Sequence, residues 1–221
     1  MKKNLLNKKI LVTAGPTHEA IDPVRFIGNH SSGRMGYAIA ETFAEAGAEV
    51  VLVSGPTGIQ PEHPDIQLVR VTSAAEMFEA CASRIANTDV AIFSAAVADF
   101  TPLTVAERKV KRGKEDLVIR LKPTTDIAAT LGAEKRADQL FIGFALETHD
   151  GLEHAKSKLK RKNMDLVVLN SLEDQGAGFG TETNRITMID RRGRVEAFDL
   201  KKKREVARDI LKKTINLLND A

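Results

Sequence analysis

Residues 10–36 read ILVTAGPTHEAIDPVRFIGNHSSGRMG, and this stretch decides the fold. Residues 10–14 are a short apolar run of strand length. Gly15-Pro16-Thr17 turns the chain, an insertion follows, and residues 29–36 lead into an amphipathic helix predicted over 35–46 and closed by Gly47. A strand that passes through glycine turns into a helix is the opening unit of a parallel α/β sheet, and such sheets bind ligands at the carboxyl ends of their strands. Gly33 and Gly36 are spaced so that backbone N–H groups and the helix N-terminus can approach an anion, with Ser31 and Ser32 adding hydroxyl donors. The same features describe a helix cap followed by tight packing of helix on sheet, and the residues alone leave both readings open. No GxxxxGK[ST] occurs, so this is not a Walker loop.

Outward from this unit the alternation continues. Residues 49–54, 67–71, 89–94, 139–144 and 165–169 read as buried strands, and 74–86 and 151–162 as helices. Residues 185–190 and 194–198 form a predicted closing hairpin around Arg191-Arg192-Gly193. A last helix over 201–219 carries Val206, Ile210, Leu211, Leu217 and Leu218 on its core face. The predicted fold is α/β, a Rossmann-like, mainly parallel sheet with helices on both faces. Residues 100–122 do not fit the alternation and read as an inserted flap or dimerisation arm.

Composition narrows the function classes. The 221 residues are 43% hydrophobic, enough to bury a full core. A net charge of +3 with acids spread among the bases gives no broad nucleic-acid footprint, and with 5% aromatic residues and no Trp the chain lacks stacking platforms for bases. The single cysteine, Cys81, permits no internal disulfide and lies in a helical pattern, where packing explains it better than chemistry. The N-terminal residues lack the apolar run of a signal peptide, and no stretch approaches the ~20 apolar residues of a membrane span. A cytoplasmic protein without membrane or nucleic-acid partners is expected.

Three further patterns carry potential chemistry. Ser94-Ala95-Ala96-Val97-Ala98-Asp99 ends a strand, where small residues let a ligand touch the backbone and an acid can take a hydroxyl or help hold a metal. Lys109-Val110-Lys111-Arg112 follows. Lys158 and Lys162 stand at i and i+4 on one helix face near its C-terminal end, a position the helix dipole also favours for cations. A second glycine cluster, residues 176–180, precedes no helix and reads as a flexible turn rather than a dinucleotide signature. A nicotinamide-dependent reductase would need an acid at the end of the second strand, where Ser54-Gly55-Pro56 stands instead.

Taken together, VTAGPTHEAIDPVRFIGNHSSGRMG, SAAVADF followed by ERKVKR, KPTTDIAA, GFALET and KLKRKNMDLVVLN occur in one order. In this the chain closely resembles the bacterial phosphopantothenate-cysteine ligases (phosphopantothenoylcysteine synthetases) of coenzyme A synthesis, over nearly its whole length. The resemblance implies one ligase domain over residues 1–221 and a reaction of three small molecules: CTP, 4'-phosphopantothenate and L-cysteine. The carboxylate is first activated as an acyl-cytidylate with loss of pyrophosphate, and the cysteine amine then displaces CMP. Polyanionic substrates call for fixed cations and Mg2+ rather than a protein nucleophile. Many members carry a flavin-dependent decarboxylase as an N-terminal half; a free-standing ligase or an excised half without FMN is expected here.

The resemblance also implies residue roles. It puts Ser31, Gly33 and Gly36 at the nucleotide phosphates, Phe144 and Asn170 in the nucleotide pocket, and Lys158 and Lys162 among the nucleotide-binding lysines. Thr125, Asp126, Ile127 and Ala128 lie where members bind the triphosphate, with Asp126 an indirect Mg2+ ligand and no direct metal ligand assigned. Ala95, Ala96 and Asp99 form the floor beneath pantothenate and nucleotide. Asn29 contacts the reacting acyl group, Lys109 is the flap lysine of acyl-cytidylate formation, and Arg25 reaches the substrate phosphate of a neighbouring subunit, implying a homodimer with shared sites.

Overall fold

The computed structural model describes residues 5–113, 115–147, 151–171 and 181–220. In chain order its elements are β1 (Lys9–Ala14), β2 (His18–Ala20), β3 (Phe26–Gly28), α1 (Arg34–Glu45), β4 (Glu49–Ser54), β5 (Ile66–Arg70) and α2 (Ala74–Ile85). There follow β6 (Val90–Phe93), β7 (Phe100–Pro102), β8 (Leu121–Pro123), α3 (Ile127–Ala133), β9 (Leu140–Glu147), α4 (Gly151–Arg161) and β10 (Leu166–Ser171). The chain closes with β11 (Thr183–Asn184), β12 (Ile186–Asp190), β13 (Val195–Ala197), β14 (Lys201–Lys202) and α5 (Lys203–Asn219).

Eight strands form one sheet in the order β13-β12-β10-β9-β6-β1-β4-β5. The six from β10 to β5 run parallel, and β12 and β13 add an antiparallel edge. The expected Rossmann-like sheet and closing hairpin are both present. Burial on both faces explains the near-continuous apolar strands. On β1 the alternation is explicit: Ile10, Val12 and Ala14 pack into the cluster of Tyr37, Ile39 and Phe43 of α1 and Val206 and Ile210 of α5. Leu11, between them, packs with Met77 and Cys81 of α2 and Ile127 and Leu131 of α3. Successive strand side chains point to opposite faces, so α1 and α5 cover one face and α2 and α3 the other. Ala155 and Leu159 of α4 pack with Ala128 of α3 on that second face.

The structure differs from the sequence reading where elements are short. The insertion after β1 is a hairpin, β2 with β3, in which His18 pairs with Gly28 and its ring stacks on Phe26 at 3.6 Å between centroids. Residues 127–133 form a seven-residue helix where no helix was expected, capped by Asp126 Oδ1 accepting from Ala129 N at 3.2 Å. Residues 201–202 leave the predicted last helix to pair with 183–184. Among the described residues of the expected flap, strand pairing is confined to its two ends, 100–102 with 121–123, the latter running one residue past it. Of the alternating Leu117, Ile119 and Leu121, Leu121 alone is in a strand, paired with Pro102, and one further bond, from Leu103 N to Arg120 O at 2.8 Å, continues the ladder. The glycine cluster at 176–180 lies outside the described residues.

Candidate functional site

At the carboxyl edge of β1, β6, β9 and β10 the chain encloses a cavity of about 460 Å³, lined by residues of 29–36, 93–99, 124–128 and 143–146 together with side chains of the later helices. That volume suits a nucleotide-sized ligand. Four adjacent strands span three inter-strand spacings, about 14 Å at ~4.8 Å each.

The α1 end of the cavity rests on glycine. Gly33, the N-cap, has φ 77, and no side chain caps the helix. Ser31 Oγ accepts from Gly33 N at 3.3 Å. A methyl on Gly36 would stand 2.6 Å from Ala14 Cβ. Close packing therefore requires Gly36, and the same closeness brings the uncapped helix end, with its partial positive charge, to the strand edge.

The floor is stitched to these loops. Ala96 N donates to Gly15 O at 2.9 Å, Ala95 N to Thr13 Oγ1 at 3.2 Å, and Asn29 Nδ2 to Ala96 O at 2.9 Å. Thr124 N donates to Asp99 O at 2.9 Å, joining the floor to the segment that enters α3.

On the α3 and α4 side, Lys162 Nζ donates to Asp126 Oδ1 at 2.7 Å, and Lys158 Nζ donates to the carbonyl of Phe144. Burial pushes the Asp126 carboxyl up, but the hydrogen bonds from Lys162 and Ala129 N and the charges of Lys162 and Arg161 outweigh it and hold the group below its ordinary range. Gly132 permits the contact, since a methyl there would lie 2.2 Å from Lys162 O.

On the α1 and α5 side stand three polar residues buried deeper. Asn170, 8% exposed, has a buried Oδ1 with no hydrogen-bond partner among the described residues. Asn184, 3% exposed, directs Nδ2 to Met35 Sδ at 3.5 Å. Lys203, 7% exposed, donates to Thr181 O. Burial, and secondarily the charge of Arg34, lower its pKa, while Glu182 opposes them.

The cavity is lined by Asn29, Ser31, Gly33, Gly36, Ala95, Ala96 and Asp99, and by Thr125, Asp126, Ile127, Ala128, Phe144, Lys158, Lys162 and Asn170. Two residues singled out from sequence do not line it. Arg25, in the β2–β3 turn, gives its guanidinium to Asp22 and to Val110 O, and Lys109 neighbours that contact. Conversely, sequence reading passed over Thr13, Arg34, Asn184 and Lys203. Lys203 is hidden in the run Lys201-Lys202-Lys203, which reads as a solvated surface. Among the described residues no group of three or more His, Cys, Asp or Glu could hold a metal ion, and no helix is long and apolar enough to cross a membrane.

The model of the DNA/pantothenate metabolism flavoprotein C-terminal domain matches residues 5–218. The chain belongs to that family. It is 55% identical over 218 residues to a protein named cysteine/cysteine sulfinic acid decarboxylase from an unidentified prokaryote, covering 99% of this chain and 61% of that protein. It is 44% identical over 207 residues to the coenzyme A biosynthesis bifunctional protein CoaBC of Bacillus subtilis (strain 168), covering 94% and 51%. The chain thus spans about half to three-fifths of these curated relatives. A crystal structure of the C-terminal domain of the bifunctional protein CoaBC superimposes with a TM-score of 0.83 at 47% identity, covering 98% of this chain and 100% of that one. This chain corresponds to that C-terminal domain.

Proposed function

We propose that this chain is a CTP-dependent ligase joining 4'-phosphopantothenate to L-cysteine. The observation that carries the reading is the meeting, in one cavity, of the glycine loop at α1, the small-residue segment that follows β6, Lys158 of α4 and Lys162 just after it. The 47% identity to the C-terminal domain of CoaBC supports it.

In the first step a carboxylate oxygen of phosphopantothenate bonds to the α-phosphorus of CTP as the bond to pyrophosphate breaks. In the second the cysteine nitrogen bonds to the acyl carbon, the bond to CMP breaks, and the nitrogen loses a proton. Neither step needs a protein nucleophile. Backbone N–H groups around Ser31 to Gly36, with Lys158 and Lys162, hold phosphate oxygens, and Asp126 keeps Lys162 aimed at them. Such preorganised donors and cations stabilise charge as it develops. Asn29, fixed by its bond to Ala96 O, orients the reacting carbonyl. Asp99 and the backbone of Ala95 and Ala96 bear the substrates.

Mg2+ fits this site as an ion carried in with the triphosphate. It prefers one or two carboxylates plus substrate phosphates to an all-protein cage, and Asp99 and Asp126 both line the cavity. When bound it would neutralise phosphate charge. Arg25 and Lys109 lie outside the cavity of their own chain, which agrees with a homodimer in which Arg25 serves the neighbour's site and Lys109 enters by movement of the flap.

The test is mass spectrometry after incubation with CTP, Mg2+, phosphopantothenate and cysteine. Phosphopantothenoylcysteine, CMP and pyrophosphate are expected. With cysteine withheld, close to one pyrophosphate per working site should appear before the reaction stalls. CDP and phosphate would indicate an acyl-phosphate route instead. Release of CO2 from cysteine or cysteine sulfinate without amide formation would favour the activity in the name of the 55%-identical relative and overturn this reading.

A further inference from the structure

We propose that Thr57, in the loop after β4, is a positioning residue for the nucleotide step: its methyl wedges Gly15 and Gly33 into the shape that receives the phosphates. The inference rests on the ligase reading, which gives those phosphates to the loop at the start of α1, and it names what fixes that loop from behind.

Ser54-Gly55-Pro56-Thr57 lacks the acid of a nicotinamide site, and none of these residues lines the cavity. The stretch lies directly behind the cavity wall. A methyl on Gly33 would stand 2.8 Å from Thr57 Cγ2, and one on Gly15 would stand 2.9 Å from the same carbon. Thr57 Cγ2 therefore fills the space that side chains at both glycines would need. The glycines also meet each other, since the methyl on Gly33 would come within 3.3 Å of Gly15 Cα. Both have left-handed backbones, φ 78 at Gly15 and φ 77 at Gly33. The base of the wedge is fixed: Gly55 N donates to Ala14 O at 3.0 Å, and Gly55 lies so close to Pro16 O that a methyl on it would overlap that oxygen. The turn it presses on serves the floor as well. Gly15 O accepts from Ala96 N at 2.9 Å, and Pro16 pairs with Ala96 in an isolated parallel bridge.

Glycine samples more backbone conformations than any other residue, and alternatives at Gly33 would turn the N–H groups that open α1 away from a bound phosphate. A side chain that fills the space beside both glycines removes those alternatives before the nucleotide arrives. Donors ordered in advance bind more tightly and stabilise developing charge better than donors ordered on binding. Within Thr57 the methyl matters more than the hydroxyl. Thr57 Oγ1 donates to Tyr37 OH at 3.3 Å and accepts from Ile59 N at 3.4 Å, both long for a hydrogen bond. These bonds aim a side chain whose branched Cβ already restricts its rotamers, whereas Cγ2 makes the contact with the glycines.

The test combines calorimetric CTP binding, single-turnover pyrophosphate release and hydrogen exchange of the backbone amides of residues 31–36, all on the full chain. Thr57→Ser keeps the hydroxyl and deletes the methyl. It should weaken CTP binding and slow pyrophosphate release by about fivefold each, the worth of one buried methyl. Exchange at 31–36 should quicken, and the KM for cysteine should stay within about twofold. Thr57→Val, which keeps the methyl, should return binding, release and exchange to near the wild-type values. Ile39→Val removes a methyl from the buried face of α1 and controls for stability alone: it should lower the melting temperature and leave CTP binding unchanged. A loss in Thr57→Val as large as in Thr57→Ser, equal losses of CTP binding in Thr57→Ser and Ile39→Val, or wild-type binding and exchange in Thr57→Ser would overturn the wedge alone. If the wild-type chain neither binds CTP nor releases pyrophosphate, the ligase reading falls, and exchange at 31–36 still decides whether Thr57 holds the loop.

Discussion

The carboxylate of Asp22 accepts from the backbone N–H of Val110 at 3.0 Å, across 88 residues of chain. It also accepts from Val24 N and Arg25 N, each at 2.9 Å, and from Arg25 Nε at 3.1 Å, while Arg25 Nη2 returns to Val110 O at 2.9 Å. One buried acid thus ties the β2–β3 turn to the flap and sets the direction of Arg25.

Asp22→Asn should therefore lower both the melting temperature and turnover, the latter by roughly tenfold if Arg25 and the flap lose register. The hydrogen bond from Arg25 chiefly holds the Asp22 carboxyl far below its usual range, with further help from the backbone N–H groups and against the effect of burial. A depressed carboxylate pKa stabilises the fold above the unfolded value of about 3.9 and stops doing so on acidification towards the folded value. The gap in melting temperature between wild type and Asp22→Asn should be constant above about pH 5 and close below about pH 4. A gap that widens in acid would contradict this assignment.

Lys109, beside Val110, tests whether the flap closes. Lys109→Gln should keep the melting temperature and cut single-turnover pyrophosphate release on the order of 10²-fold. Release within a few-fold of wild type would remove Lys109 from the first step. Mixed dimers of Arg25→Ala with Lys109→Gln should regain activity if the two residues serve different sites. Full activity in a species that light scattering finds monomeric at assay concentration would end the shared-site reading.

Gly36→Ala should destabilise the fold by about 1–3 kcal/mol in urea titration, since the added methyl meets Ala14 Cβ at 2.6 Å and Thr13 O at 3.1 Å. Gly58→Ala meets nothing within 4 Å and is the control. It should be neutral or gain roughly 0.4–1 kcal/mol through the unfolded chain. Equal effects at both positions would argue against close packing as the reason for Gly36.

Cys81 is buried, and its thiol is pushed up to about 12 by burial despite the opposing charge of Arg84. Iodoacetamide at pH 8 should leave the native protein unlabelled and modify it fully in urea, and Cys81→Ala should retain turnover. Rapid native labelling accompanied by loss of activity would return Cys81 to the list of functional residues.

The parallel sheet was legible because each buried strand, such as 10–14 or 49–54, is a local apolar run, and each glycine turn is local too. Residues 127–133 were not legible as a helix: seven residues hold too few turns for a period of 3.6 to stand out. The hairpin of 18–20 with 26–28 has three-residue strands, below what alternation can register. Most of the cavity lining was likewise carried by contiguous motifs, from Asn29 to Gly36 and from Thr125 to Ala128. What only the tertiary structure decided is which side of the sheet each of those residues serves, and that Lys203 joins them. A run of three lysines carries a solvated surface pattern, and only the approach of Arg34 and Thr181, distant in sequence, takes the third lysine out of water. Local sequence sets backbone conformation and the facing of successive side chains, but burial of a charge is set by long-range contacts that no short pattern records.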